Sequence, residues 1–318
     1  VCLGASRHLL NVTTTYARAR EVFGRPISSF GLVRQKLAAM AVKIYATESV
    51  IYRIGGLLDA GLEGLDLVGS SAEAAIPILA EYAVECSIAK VFASEALGEI
   101  ADEGVQIHGG YGFMDGYDVE RAHRDNRVNR IYEGTNEINR LLIAQTIFRR
   151  VGRGELASID LQAAVAAIDS IVVPTGGTTL GAESALVDLA RYLFWVVAEL
   201  ADRRYPKGLD DAQEILAIAA DAAIGIYSMD SAVIRATRAV EAADSRQSLH
   251  VDLAKAHSRE ISATLSHSFS VAIRHLATEK DRAAYLKLVD RLYSPIDSIE
   301  VGRRIADAVV EAEGWPLD

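Results

Sequence analysis

Val33, Leu37, Met40, Ile44, Thr47, Ile51, Ile54 and Leu58 recur three and four residues apart, with no proline among them. That spacing lines the side chains up on one face of a long helix and would scatter them over both faces of a strand. Only six prolines occur in 318 residues, so long helices are seldom interrupted. Hydrophobic residues make up 50% of the chain but aromatics only 7%. The core is therefore built mainly from Ala, Leu, Ile and Val, which suits packed helices. The fold class expected is all-α.

The same signals divide the rest of the chain. Leu9, Val12 and Tyr16 predict an opening helix to about Val22, broken by Gly24 and Pro26. Gly61 to Gly69 reads as a connection. A third helix is predicted after Pro77, with Ile88, Val91 and Phe92 on its apolar face. Gln106 to Met114 mixes bulky residues with glycines and reads as a tight loop, and Glu120 to Arg130 is dense in charge. Thr135 is placed to cap a helix carrying Glu137 in its first turn and Arg149 and Arg150 at its end. Residues 172–180 have linker composition, although 160–171 can form a short helix. Five more helices are predicted near 185–202, 209–243, 246–278, 280–292 and 296–313. The expected division is 1–150, a linker at 151–184, and a second helical set at 185–318.

A formal net charge of −10 argues against a nucleic-acid partner and against attraction to anionic membranes. Cys2 and Cys86 are the only cysteines, too few for a disulfide framework, so a reducing compartment is expected. No apolar run approaches the roughly 20 residues of a membrane span. His8, His108, His123, His250, His257, His267 and His275 do not follow metal-ligand spacings, and no metal is expected. The chain is expected to begin inside a helix, with any targeting segment upstream.

Four separated motifs resemble the acyl-CoA dehydrogenase family, in that family's order. They are Arg20-Glu-Val-Phe-Gly-Arg-Pro-Ile27 with the following Phe30, Lys36, Leu37 and Met40; Gln106-Ile-His-Gly-Gly-Tyr-Gly112; Val119-Glu-Arg121 with Arg124-Asp125; and Ile131-Tyr-Glu-Gly-Thr-Asn-Glu-Ile138 with Arg140-Leu141. The resemblance covers about residues 1 to 150. Phe30-Gly31-Leu32 and the long helical extension look most like the very-long-chain branch and its bacterial relatives. The fold implied is the family's C-terminal four-helix-type bundle followed by a second helical bundle.

The resemblance also implies chemistry. Glu133 holds the place of the base that removes the α-proton of a fatty acyl-CoA while hydride passes from the β-carbon to FAD, giving a trans-2-enoyl-CoA. A carboxylate in water is too weak a base for this, so bound substrate must desolvate it. Alone, Glu133 reads as a solvated residue near a helix start; within the motif series it reads as the base. Tyr132 and Gly134 flank the substrate, and the thioester oxygen is held by the backbone N–H of Glu133 and a flavin hydroxyl. Thr135, Asn136 and Glu137 are implied to contact FAD, with ordinary capping by Thr135 compatible with that role. Gln106, Ile107, His108, Gly109 and Gly110 match a loop that contacts the adenosine or pyrophosphate of FAD across a subunit interface. Arg20 and Phe23 match a phosphate and adenine pair. Catalysis by His108 is not expected, and the Glu120–Arg130 run is expected to be an ion-pair network positioning the catalytic segment.

Further expectations are a homodimer, electron-transfer flavoprotein as electron acceptor, and a location in the bacterial cytoplasm or, in a eukaryote, the mitochondrial matrix. The upstream domains of the family are not in these 318 residues, so this chain alone is expected to bind FAD poorly and to be inactive. Two rivals stay open. An acyl-CoA oxidase would produce peroxide; a non-catalytic helical interaction module would have little reason to keep Glu133.

Overall fold

The computed structural model describes residues 1–65, 72–174, 180–206 and 208–317. Within them the chain forms twelve α-helices and a single two-stranded ribbon. Helix α1 (Cys2–Ala19) leads into strands β1 (Glu21–Val22) and β2 (Arg25–Pro26), and then a 3-10 turn at Ile27–Ser29. Next come α2 (Gly31–Leu62), α3 (Ala72–Glu81), α4 (Ala83–His108), a 3-10 turn at Gly109–Phe113, α5 (Asp118–Asn126), a 3-10 turn at Arg127–Arg130 and α6 (Asn136–Gly152). The remaining helices are α7 (Leu161–Ser170), α8 (Gly181–Arg204), α9 (Gln213–Glu241), α10 (Gln247–Leu276), α11 (Glu279–Val289) and α12 (Ser298–Glu311).

The apolar stripe of α2 is buried as its spacing requires: Leu37, Met40, Ile44 and Tyr45 are all 1% exposed or less. Helices α1, α2, α4 and α6 pack together, and α8, α9 and α10 form a second group. The two groups share one continuous core, because α9 lies against α2 and α6 while α12 lies against α2 and α10. A buried ionic cluster reinforces this junction. Glu48 of α2, 4% exposed, pairs with Arg7 of α1 and lies 2.7 Å from Arg235 Nη1 of α9. The Arg235 guanidinium also stacks over the Tyr45 ring at 4.5 Å. The Tyr45 hydroxyl meets His250 Nδ1 of α10 at 3.1 Å, and His257 Nε2 of α10 meets Ser228 Oγ of α9 at 3.0 Å.

Several sequence expectations are corrected. The opening helix stops at Ala19 because the chain turns into a hairpin at Phe23 and Gly24, whose φ values of 55° and 77° are those of a tight two-residue turn. Pro77 lies inside α3 instead of before a helix, and Ile88, Val91 and Phe92 belong to α4. Gly61 and Leu62 are still helical, while residues 66–69 of that expected connection lie outside the described residues.

The stretch 106–114 is not a loop. Gln106, Ile107 and His108 form the last turn of α4, His108 Nδ1 bonds Gly104 O at 2.7 Å, and Gly109 ends the helix with a φ of 61°. Between 151 and 184, α7 is capped by Asp160 and packs on α8. Arg291 donates to the Ile168 carbonyl at its end; residues 175–179 of the expected linker lie outside the described residues. Among the described residues, helix α9 alone is long and apolar enough by length and composition to cross a membrane, but Asp221 and Asp230 interrupt it and 61% of its most apolar window is buried in the core.

Candidate active site

Asn136 begins α6, and its N-cap Thr135 accepts a hydrogen bond from the Ile138 N–H at 3.3 Å. The two residues before that cap, Glu133 and Gly134, both have left-handed backbone, with φ of 54° and 81°. Gly134 adopts it freely. Glu133 carries a Cβ and does so at a cost of about 1–2 kcal/mol. Such a conformation persists only where the surroundings hold it.

Those surroundings are specific. The Gly134 carbonyl accepts from Lys90 Nζ at 2.8 Å and from Asn139 Nδ2 at 2.9 Å. A Cβ at Gly134 would sit 3.1 Å from Asn139 Nδ2, so a side chain there would press on that amide besides straining φ. Lys90 Nζ also donates to Asn136 Oδ1 at 2.6 Å. Asn136 is 2% exposed, and its Nδ2 donates to Ser94 Oγ at 3.1 Å and Glu95 Oε1 at 3.0 Å. Glu95 receives a two-pronged bond from Arg140 at 2.8 and 3.0 Å, and Arg140 Nε reaches Asp221 on α9 at 2.7 Å.

Burial pulls the Lys90 ammonium below its ordinary range, against the opposing pull of Glu133 and Glu137. Burial alone would raise the Glu95 carboxyl, but Arg140 and Asn136 hold it below its usual value. Burial keeps Asp221 above its usual value despite Arg140. Hydrogen bonds from its own backbone N–H and from Thr135 lower Glu137.

Glu133 itself is exposed. Around it Val128, Ile131, Tyr132 and Ile138 present apolar surface at 52%, 52%, 46% and 56% exposure. The Tyr132 hydroxyl is tied back to Asn129 Oδ1 at 2.7 Å. The preceding turn is anchored by Arg130, whose guanidinium lies where a Cβ on Gly98 of α4 would be.

The remaining candidate residues gather elsewhere. Tyr16 stacks on His108 at 4.1 Å and donates to its carbonyl at 3.1 Å. Arg20 lies over the Tyr111 ring at 5.9 Å. Phe23 projects from the hairpin turn at 92% exposure, beside Phe30. Gln106, Gly109 and Gly110 face solvent, and neither glycine has any atom within 4 Å of where a Cβ would stand. Ile107 and His108 are buried, at 7% and 4% exposure. They support this surface from beneath, and burial lowers the His108 pKa.

Two clusters therefore emerge at opposite ends of α4. Lys90 and His108 are eighteen residues apart on that helix, about 27 Å at 1.5 Å per residue. Glu133, Gly134, Thr135 and Asn136 belong to one end; Arg20, Phe23 and the Gln106–Gly110 segment belong to the other. Sequence reasoning missed Lys90, Glu95, Asn139 and Asp221. It also expected the 120–130 charge run to position the turn. Among the described residues, the ion pairs of that run lie within one helix turn and keep at least one partner in solvent, such as Arg124–Glu120 at 2.9 Å and Arg121 with the adjacent Asp118 at 2.8 Å, and such pairs contribute little. From that run it is Arg130, seated against Gly98, that anchors the turn, together with the network on α4 and α6.

Two family models described as "Acyl-CoA dehydrogenase, C-terminal domain" match this chain, over residues 1–148 and 189–289. A probable acyl-CoA dehydrogenase of Bacillus subtilis is 42% identical over 245 residues, covering 76% of this chain and 41% of that protein. The very long-chain specific acyl-CoA dehydrogenase of Macaca fascicularis is 30% identical over 270 residues, covering 74% of this chain and 37% of that protein. The crystal structure of an acyl-CoA dehydrogenase from Bacillus anthracis, complexed with FAD, superposes with a TM-score of 0.92 at 35% identity, over 99% of this chain and 55% of that one. The chain thus spans about two fifths of the length of the curated relatives it matches. By sequence and by fold, this chain belongs to the acyl-CoA dehydrogenase family, as its C-terminal helical portion.

Proposed function

We propose that this chain supplies the base and part of the cofactor site of an FAD-dependent acyl-CoA dehydrogenase acting on long-chain substrates. The observation that carries this is the Glu133–Gly134 turn, strained at Glu133 and held at the Gly134 carbonyl by Lys90 and Asn139. Strain maintained by a dedicated network marks a side chain whose direction matters.

Glu133 takes the proton from the α-carbon of the thioester, and its carboxylate becomes the acid. FAD, when bound, supplies the acceptor for the hydride leaving the β-carbon. Ile131, Tyr132 and Ile138 surround Glu133 with apolar surface, so an acyl chain laid on them removes water from the carboxylate and raises its basicity. The N–H of Glu133 stands ready as one donor to the enolate oxygen.

The cofactor surfaces fit an elongated dinucleotide. At one end of α4 the start of α6, with Thr135, Asn136 and Glu137, approaches the reacting half. At the other end Arg20 can meet a phosphate, exposed Phe23 can cover a purine, and Gly109 and Gly110 leave backbone open to close approach. The two surfaces, about 27 Å apart along α4, serve two cofactors shared between the two protomers of a homodimer in this reading. The remaining proposals are the division into 1–150 and an extension at 185–318, oxidation by electron-transfer flavoprotein, and a cytoplasmic or mitochondrial-matrix location.

The test uses the complete polypeptide that carries this chain. Anaerobic addition of a long-chain acyl-CoA bleaches the flavin of the wild type and not of Glu133→Gln. Normal bleaching by Glu133→Gln would reject Glu133 as the base.

A further inference from the structure

Among the hydrogen bonds behind the catalytic turn, one path ends outside the motif-bearing half of the chain. From Gly134 O it runs through Lys90 Nζ (2.8 Å), Asn136 (2.6 Å), Glu95 Oε1 (3.0 Å) and Arg140 (2.8 Å) to Asp221 (2.7 Å) on α9. We propose that Asp221 is a positioning residue for Glu133, acting through Arg140, Glu95, Asn136 and Lys90. This rests on the reading of Glu133 as the base. It gives the helices after residue 180 a part in catalysis beyond covering the first bundle.

Each link has a single allowed polarity. Lys90 can only donate, so the Asn136 amide must turn its oxygen toward Lys90 and its nitrogen toward Ser94 and Glu95. Glu95 can only accept when ionised, and it takes Asn136 and one prong of Arg140 on the same oxygen. Arg140 has a rigid planar fork. Glu95 on α4 holds two of its nitrogens and Asp221 on α9 holds the third, so the plane of the guanidinium is fixed from two helices.

Without Asp221 the guanidinium can swing about the Glu95 carboxylate. Glu95 and the buried Asn136 then lose their fixed register, and Lys90 loses its on the Gly134 carbonyl. A turn strained at Glu133 has other conformations to relax into. Small displacements matter here, because a shift of about 1 Å in a reacting group can cost about a hundredfold in rate.

The experiment compares Asp221→Ala, Asp221→Asn and Asp221→Glu in the complete flavoprotein, at equal FAD content. Asp221→Ala is expected to lower kcat about tenfold with KM changed less than about twofold, the signature of a displaced reacting group. Asp221→Glu restores most of kcat, and Asp221→Asn, which keeps one acceptor, falls between. In parallel, deuterium uptake across residues 128–142 rises in Asp221→Ala. An inter-helix ion pair serving only stability would lower the melting temperature and leave kcat per FAD unchanged; that result overturns the proposal. So does loss of the folded, FAD-bound state in both Asp221→Ala and Asp221→Asn. A wild type that no acyl-CoA bleaches removes the reading of Glu133 as base but leaves the deuterium comparison able to decide the relay. Normal bleaching with unchanged kcat and uptake in Asp221→Ala removes the relay alone.

Discussion

Gly98 and Arg130 occupy the same space: the guanidinium of Arg130 fills the volume a side chain on Gly98 would need. Arg130 lies three residues before Glu133, so the notch in α4 fixes where the Glu133 turn begins. Gly98→Ala is expected to push Arg130 out, lower stability by about 1–3 kcal/mol as overpacking does, and slow flavin bleaching. Adding Arg130→Ala relieves the collision, and a double-mutant cycle on melting temperature should show strong coupling. Additive effects would place the two residues in separate roles.

Strain at Glu133 predicts a trade between stability and activity. Glu133→Gly removes the proposed base and also the steric penalty of a φ of 54°. The variant should be inactive yet no less stable than wild type, with relief of about 1 kcal/mol offset in part by backbone entropy. Urea unfolding of the two proteins decides it. A loss above about 1 kcal/mol would show that the turn is not strained in solution.

Glu48 is the anionic centre shared by two arginines on different helices. Glu48→Gln leaves Arg7 and Arg235 facing a neutral amide in a buried site. The expected cost is about 2–4 kcal/mol, read as a lower denaturation midpoint with an unchanged slope. Kinetics per folded, FAD-bound molecule should stay near wild type, because Glu48 bonds Arg7 and Arg235 and not the side chains that hold the Gly134 carbonyl.

Two buried histidines make stability depend on acid. Burial brings His250 and His257 down to about 4 from 6.5, with Arg235 adding to the effect at His250. The unfolded state binds protons more readily than the folded state between these values. Stability is therefore full above pH 6.5 and falls as pH drops toward 4, by up to about 1.4 kcal/mol per pH unit for each histidine. Denaturation midpoints between pH 7 and pH 4 measure the slope, and His257→Gln should reduce it by the share of one histidine. A slope unchanged by that substitution would assign the acid sensitivity to other groups.

Much of the fold is legible in the residues because helices declare themselves locally. The α2 stripe, the Thr135 cap and the Arg149–Arg150 end all act within a turn or two of themselves. Gln106–Met114 misleads because glycine clusters signal loops, whereas here the His108 side chain extends α4 to the brink of Gly109. Pro77 misleads because the rest of α3 tolerates the lost bond. At the site, Glu133 stands out through its motif, but its left-handed backbone does not, since φ is decided by what grips Gly134. Lys90 and Glu95 carry no local mark, and Asp221 lies eighty-one residues beyond the arginine it orients. Only the packing of α9 on α6 brings them together.

The separation of the two clusters along α4 has a genetic reading. In the proposed homodimer each flavin draws its base from one chain and its adenosine contacts from the other. A chain lacking Glu133 and a chain lacking Arg20 each form dead enzymes alone. Mixed in one cell, they assemble heterodimers in which one of the two centres is built entirely from intact parts. Two null alleles of this gene should therefore complement, whereas a single defective allele beside a wild-type one should leave half of the centres active, because each centre needs only one intact base and one intact set of adenosine contacts.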